Sequence, residues 1–242
     1  MLENYRILYD EFDSFLVKID RDFQCHRGII KRKDLLKEQG VVETHKKHKF
    51  FIIKPTLADV YQLIHRKTQV MIQKDLGLII TFSGINKESK ILEAGTGNGT
   101  CTIILAYIAK KVVSYEIRKD HYEIAKKNLE IFGINNVILK NEDIVNVSER
   151  NFDSALLDLP EPWKVLEKIK KCVKPGGIIS IYCPNLTQIT KTIQEAKELK
   201  LRVLATKELI ERNWIIDDKI LRPENKEPYT HTAFIAFLRK LS

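Results

Sequence analysis

Cysteine is scarce in this chain, and no two cysteines are spaced to work together. Cys25, Cys101, Cys172 and Cys183 are scattered over 242 residues without a C-x-x-C pair. That argues against a disulfide framework and against a structural zinc site. Long apolar runs are missing too. The longest, Leu76–Phe82 and Cys101–Ala109, fall far short of the roughly 20 residues needed to cross a bilayer. Met1-Leu2-Glu3-Asn4-Tyr5 lacks the basic region and apolar stretch of a signal peptide. There is no internal repeat and no low-complexity segment. These absences lead us to expect a cytoplasmic protein with reduced thiols, no membrane contact and no metal.

Hydrophobic residues make up 44% of the chain, enough for a sizeable core, and the formal net charge is +9. Such a balance favours an anionic partner, of which nucleic acid is the commonest. The charge is uneven. Residues 1–24 carry three basic and six acidic groups. Residues 27–54 carry nine basic groups (Arg27, Lys31, Arg32, Lys33, Lys37, Lys46, Lys47, Lys49, Lys54) against three acidic ones. A solvated lysine-rich face would give the same pattern.

The first 54 or so residues alternate short β-like runs with turns: Arg6–Tyr9, Phe12–Ile19, Gly28–Ile30, Val41–Thr44 and Phe50–Ile53. This spacing predicts a small β-rich module. Thr56 and Asp59 stand at capping-box spacing and predict a helix start; a further helix is predicted over 74–82. From Lys90 the pattern changes. Strands are predicted at 90–94, 112–116, 137–140, 154–158, 176–182, 201–206 and 232–238, and helices at 100–109, 119–132, 161–172 and 187–199. This alternation implies an α/β domain with a mixed, mostly parallel sheet. Its last strand should run antiparallel at or near an edge. The expected division is a β-rich domain over 1–64 and an α/β domain over 65–242.

Ile91-Leu92-Glu93-Ala94-Gly95-Thr96-Gly97-Asn98-Gly99-Thr100 reads as a buried strand, a glycine turn and a helix start. Backbone N–H groups at such a start are unpaired and can face a ligand. The glycine spacing is G-x-G-x-G, whereas dinucleotide sites use G-x-G-x-x-G. An acid opening a G-x-G-x-G loop is the pattern associated with S-adenosylmethionine. Glu116 ends the next apolar run, 21 residues after Gly95. A carboxylate there can accept hydrogen bonds from two vicinal ribose hydroxyls. Asp143 follows the apolar stretch Val137–Leu139, so three acids at successive strand ends would face one crevice. Asp158 closes the fourth strand and leads into Leu159-Pro160-Glu161-Pro162-Trp163. Two prolines stiffen that loop, and Trp163 offers a flat face for a base.

Leu157-Asp158-Leu159-Pro160-Glu161-Pro162-Trp163 resembles the L-D-L-P-x-P-W motif of the tRNA adenine-N1 methyltransferases that modify the T-loop. Arg66–Asp75 resembles that family's R-R-x-Q-x-x-[aromatic or His]-P-K-D segment. Arg222-Pro223 with His231-Thr232-Ala233-Phe234 resembles its R-P…H-T-[GA]-[FY] segment. The resemblance covers nearly the whole chain. It implies a Rossmann-like class I methyltransferase domain, S-adenosylmethionine as cofactor, tRNA as substrate and a homotetramer. It implies cofactor contacts from Gln69, Glu93, Gly95, Gly97, Asn98, Gly99, Thr100, Glu116, Asp143 and Asp158, with Asp158 also the catalytic group that binds the target adenine. Substrate contacts would come from Pro160, Trp163, Arg222 and His231. The product expected is 1-methyladenosine at tRNA position 58, with 57 as a second candidate.

Two departures stand out. Ile72-Gln73 replaces the family's aromatic-Pro pair, so base stacking would fall to Trp163, Tyr182 or Tyr229. Glu224 follows Arg222-Pro223 where a basic residue is common. An isoaspartyl-protein methyltransferase, or another of class I, would share the cofactor fold. A non-catalytic tRNA-binding subunit would share the RNA contacts.

Overall fold

A computed structural model describes residues 3–59, 61, 64, 70–217, 219–224 and 231–242. The chain divides into two compact units, Met1–His65 with Lys127–Asn135, and Arg66–Lys126 with Asn136–Ser242.

The first unit holds a four-stranded antiparallel sheet in the order β2-β1-β6-β5, formed by β1 (Tyr5–Tyr9), β2 (Ser14–Lys18), β5 (Gln39–Glu43) and β6 (Lys49–Ile53). A small hairpin, β3 (Phe23–Cys25) and β4 (Gly28–Ile30), and a short helix α1 (Arg32–Leu35) complete it. Period-two alternation sets its core. On β6, Phe50 and Ile52 face inward to join Leu8, Val17, Ile30, Leu35 and Val42, while Lys49, Phe51 and Ile53 face out. The expected helix start at Thr56 is a 3-10 turn, Leu57–Asp59, with the Thr56 N–H and hydroxyl both donating to Asp59 Oδ2.

The second unit is built on a seven-stranded sheet. Helix α2 (Gln73–Phe82) precedes it, and β7 (Lys90–Ala94), α3 (Thr100–Ile108), β8 (Lys111–Tyr115), α4 (Lys119–Ile131, whose residues from Lys127 on group with the first unit) and β9 (Val137–Lys140) form its first half. Strand β10 (Phe152–Leu157), α5 (Leu166–Cys172), β11 (Val173–Cys183), α6 (Leu186–Glu198), β12 (Arg202–Glu208) and β15 (Phe234–Arg239) form its second. The order is β12-β15-β11-β10-β7-β8-β9. Pairs from β11 through β10, β7 and β8 to β9 are parallel. Strand β15 is antiparallel to both β11 and β12 and lies second from the edge. Central parallel strands are covered on both faces, which is why Ile91, Leu92, Ala94, Val112, Val113, Ala155, Leu156 and Leu157 are all buried. Helix α3 is apolar nearly all round and correspondingly buried.

Two elements depart from expectation. The region 161–172 is not one helix but a 3-10 turn, Pro162–Lys164, followed by α5. Pro162 lacks the N–H a longer helix would need, and it holds Glu161 outside helical geometry at φ −137°. A two-stranded hairpin, β13 (Trp214–Asp217) with β14 (Ile220–Pro223), also stands apart from the large sheet. Among the described residues no helix is long and apolar enough to cross a membrane, and no three His, Cys, Asp or Glu side chains are grouped to hold a metal ion.

The sheet turns back on itself between β7 and β10: β8 and β9 extend to one side, β11 to the other. Ligands of such sheets bind at that split, beyond the carboxyl ends of the strands. The loops leaving the two strands touch there. The Asp158 N–H donates to the Ala94 carbonyl at 2.9 Å. Gly95 has φ +92°, and a Cβ on it would lie 2.0 Å from the Asp158 carbonyl oxygen. Gly95→Ala should therefore force the loops apart and lower the unfolding free energy by about 1–3 kcal/mol. Denaturant melts of the two proteins would check this; unchanged stability would mean the loops are free to separate.

Candidate active site

The acid at the end of β8 is fixed before any ligand arrives. Glu116 accepts hydrogen bonds from the Gly97 N–H at Oε2, 2.8 Å, and from the Arg118 N–H at Oε1, 2.9 Å. Each oxygen keeps a further lone pair, so the buried carboxylate presents two oriented acceptors. Asp143 caps the 3-10 turn after it, with Oδ1 accepting from the Val145 N–H. Both acids line one cavity of about 360 Å³, together with Gly95, Ile117, Val145 and Leu159. Apolar walls with acceptors at one end suit a planar heterocycle joined to a diol.

Glu93 lies elsewhere. Its side chain is buried beneath the glycine loop, where Oε2 accepts from the Thr102 hydroxyl on α3 and the Ser114 hydroxyl on β8, each at 2.6 Å. The Thr96 hydroxyl reaches Ser114 in turn, at 2.6 Å. Burial raises the pKa of Glu93, against the pull of these hydroxyl donors and the Cys101 thiol. Its other oxygen, Oε1, is buried without an oxygen or nitrogen partner. Asn98 and Thr100 are also turned inward. Asn98 Oδ1 accepts from the Thr100 N–H and hydroxyl, at 3.1 and 2.8 Å, and this joins the loop to α3.

Asp158 is exposed, yet protein crowds it on the remaining sides. That crowding raises its pKa, and the carboxylates of Glu93 and Glu116 raise it further, to about 7. Three acids therefore repel one another around the split in the sheet. Such a site is primed for a cation, which would lower the cost of ionising Asp158. The loop after Asp158 is clamped to α6: the Gln188 amide donates to the Pro160 carbonyl at 2.8 Å, and the Lys191 ammonium sits 5.1 Å from the centre of the Trp163 ring. One face of Trp163 is thus taken by a cation.

Among the described residues, Arg222 and His231 do not line this cavity. Arg222, on β14, bonds its neighbours' carbonyls at Pro223 and Glu224. His231 has both ring nitrogens committed, to Glu208 at 2.6 Å and to the Pro184 carbonyl at 2.7 Å. Gln69 and Tyr229 lie outside the described residues. Ile72 is the residue capping the start of α2.

Sequence reasoning missed the apolar walls Ile117, Val145 and Leu159. Each stands one or two residues past a strand-end acid, which is the signal that could have found them. It also missed a buried polar cluster. Asp75 is fully buried and accepts from Lys74 at 2.8 Å, the Thr232 hydroxyl at 2.7 Å and the Tyr182 hydroxyl at 3.2 Å. Register places Tyr182 beside Asp158, because Leu157 pairs with Ile181. Burial, then the charge of Asp75 and that of Asp158, raises the Tyr182 pKa.

A family profile described as "tRNA methyltransferase complex GCD14 subunit" matches residues 49–239. The Methanocaldococcus jannaschii protein named tRNA (adenine(57)-N(1)/adenine(58)-N(1))-methyltransferase TrmI is 33% identical, covering 97% of this chain and 94% of its own. The crystal structure of tRNA (m1A58) methyltransferase TrmI from Aquifex aeolicus superposes with a TM-score of 0.81 at 27% identity, over 98% of this chain and 97% of that one. A Thermotoga maritima structure described as a SAM-dependent O-methyltransferase superposes at 0.87 and 27% identity, over all of this chain and 94% of that one.

The ligand-free acid cluster makes a testable claim about stability. Asp158 holds its proton to about pH 7 in the folded protein, against an ordinary value of 3.8. Its contribution is then full below the ordinary value and is lost as pH rises through 7. Replacing Asp158 with Asn should flatten that decline. Melting both proteins from pH 4 to 8 would show the wild type losing stability relative to the variant; parallel curves would contradict the acid cluster.

Proposed function

This chain belongs to the tRNA adenine-N1 methyltransferase family, and on that premise we propose that it methylates N1 of adenine 58 in the T-loop of tRNA, with S-adenosylmethionine as donor. The observation that carries the reading is the cavity at the sheet's split, lined by Glu116, Asp143 and Gly95, with Asp158 packed against Gly95 beside it. The two TrmI relatives, whose names specify tRNA adenine N1, support the choice of acceptor. The Thermotoga structure is described with an oxygen acceptor, so fold likeness alone does not decide it.

The cavity fits the cofactor. Glu116, already oriented by two backbone N–H groups, would accept from the ribose hydroxyls. Asp143 would accept from the adenine edge between Ile117 and Val145. The glycine loop would pass close to the rest of the molecule, while Glu93 supports that loop from below through Thr102 and Ser114. S-adenosylmethionine supplies a methyl group activated by a positively charged sulfur. Asp158, ionised, would accept a hydrogen bond from the exocyclic amine of the target adenine. That amine becomes more acidic as N1 takes on positive charge, so the carboxylate's interaction is stronger in the transition state than in the ground state. A preorganised group of this kind contributes about 2.7–4 kcal/mol.

The finer readings rest on further observations. A homotetramer is supported by the β13–β14 hairpin, which exposes Trp214, Ile216 and Leu221. Two strands alone are marginally stable, so an apolar hairpin favours a partner. A cytoplasmic location accords with a tRNA substrate. The N-terminal unit is proposed as an RNA contact. Some of its cations are already engaged: Arg27, Lys31 and Lys54 are paired with Asp10 and Asp13, Asp22, and Glu38 respectively. Lys46, Lys47 and Lys49 are exposed and, among the described residues, form no ion pair.

Incubating the purified chain with labelled cofactor and a tRNA transcript, then mapping by mass spectrometry, should place one methyl on adenine 58. Asp158→Asn should slow transfer by about 10²–10³-fold and leave cofactor affinity within a few-fold. An isoaspartyl peptide methylated in place of tRNA, or near-normal turnover by the variant, would sink this reading.

A further inference from the structure

A second cavity, of about 460 Å³, lies wholly within the N-terminal unit. Phe12, Val41 and Phe51 line it, with Lys47, His48 and Lys49. Phe12 is 79% exposed and Phe51 64%. Solvent-facing phenylalanines of this size are costly unless something covers them.

The surface is built rather than loose. Phe51 on β6 is in register with Val41 on β5 and Tyr9 on β1, so three apolar side chains form one row across the outer face of the sheet. Phe12 sits in the β1–β2 turn. Asp10 fixes that turn by accepting from the Phe12 and Asp13 N–H groups at 2.9 and 2.8 Å. Arg27 and His48 both engage Asp10, and the Arg27 guanidinium lies 5.6 Å from the Phe12 ring centre. The Arg27 guanidinium thus offsets the charge of Asp10, and the His48 ring contacts the same carboxylate oxygen at 2.8 Å. Among the charged groups lining the cavity, Glu11 is opposed by Lys47 and Lys49, which form no ion pair among the described residues.

Lys49 and Phe51 share the outer face of β6 two residues apart, about 6.8 Å along a strand. A nucleotide whose base covers Phe51 can place a phosphate on Lys49. Flat aromatic faces beside unpaired lysines are the combination that holds unstacked nucleotides. We propose that this face is a stacking platform for an unpaired nucleotide of the RNA substrate, gripping it between Phe12 and Phe51 with its phosphates on Lys47 and Lys49. The inference rests on tRNA being the substrate. It adds base stacking, which the lysine-rich stretch alone does not imply.

The test compares Phe12→Ala/Phe51→Ala with Lys46→Ala/Lys47→Ala/Lys49→Ala, both in the full chain, by fluorescence anisotropy with tRNA at several salt concentrations. The phenylalanine variant should bind roughly 5–150-fold more weakly for each base that is no longer stacked, with the slope of log affinity against log salt unchanged. The lysine variant should flatten that slope by about 0.7–0.9 for each phosphate that is no longer neutralised. Tyrosine at both phenylalanine positions should restore binding. Both rings are exposed, so their removal takes nothing from the core, and a circular-dichroism spectrum and melting temperature matching the wild type would verify the fold. If the wild type methylates tRNA and the phenylalanine variant binds it equally well, the platform is overturned. A changed oligomeric mass with unchanged RNA affinity would also overturn it, by assigning the face to a second copy of the chain. A wild type that neither binds nor methylates tRNA would remove the functional reading and this inference together.

Discussion

Two loops meet at the split in the large sheet, and their closeness governs the rest of the site. Gly95 lets the backbone of Asp158 approach to a distance no side chain would permit. The hydrogen bond from Asp158 to Ala94 then locks the loop after β10 against the loop after β7. That contact sets Asp158 near Glu93 and Glu116. It gathers like charges in a place where only a cation or a proton relieves them. The raised pKa of Asp158 follows from this arrangement rather than from any single partner.

The supporting parts have separable tasks. Glu93, Thr102 and Ser114 hold the glycine loop from beneath and tie β7, β8 and α3 into one piece. Gly97 and Arg118 orient Glu116 through main-chain donors, which costs little side-chain freedom on binding. Asp75, Lys74, Thr232 and Tyr182 join residues up to 158 positions apart. They anchor the start of α2 to the strand end beside Asp158. A buried carboxylate like Asp75 is tolerated because each oxygen has a donor; removing one donor would expose the desolvation cost of the other groups.

Much of this is legible in the sequence, for a physical reason. Parallel central strands are buried on both faces, so 90–94, 112–116 and 154–158 read as apolar runs, and an acid ending such a run is conspicuous. Glu116 stands out in that way, Asp143 follows the next apolar stretch three residues past β9, and the two share a cavity. Glu93 is not readable to the same depth. It lies one residue before the strand's end, where side-chain parity turns it under the loop toward α3. Trp163 is readable as a flat ring but not as one already covered by Lys191, because that contact depends on α6 docking. The β13–β14 hairpin escapes sequence reasoning because its alternation is weak, with Ile216, Ile220 and Leu221 all exposed. The Asp75 cluster escapes it because nothing local marks a pairing across so long a stretch of chain.

The central claim is that the acid cluster is built to be relieved by a cation, with Asp158 giving up its proton as the cofactor's positive sulfur arrives. Calorimetric titration of S-adenosylmethionine into the protein at pH 6, below the Asp158 pKa of about 7, reports proton release directly when repeated in buffers of different ionisation heat. The account predicts release of close to one proton, a smaller release with S-adenosylhomocysteine, whose sulfur carries no charge, and almost none in Asp158→Asn. Binding without proton release, or the same release from the variant, would contradict it.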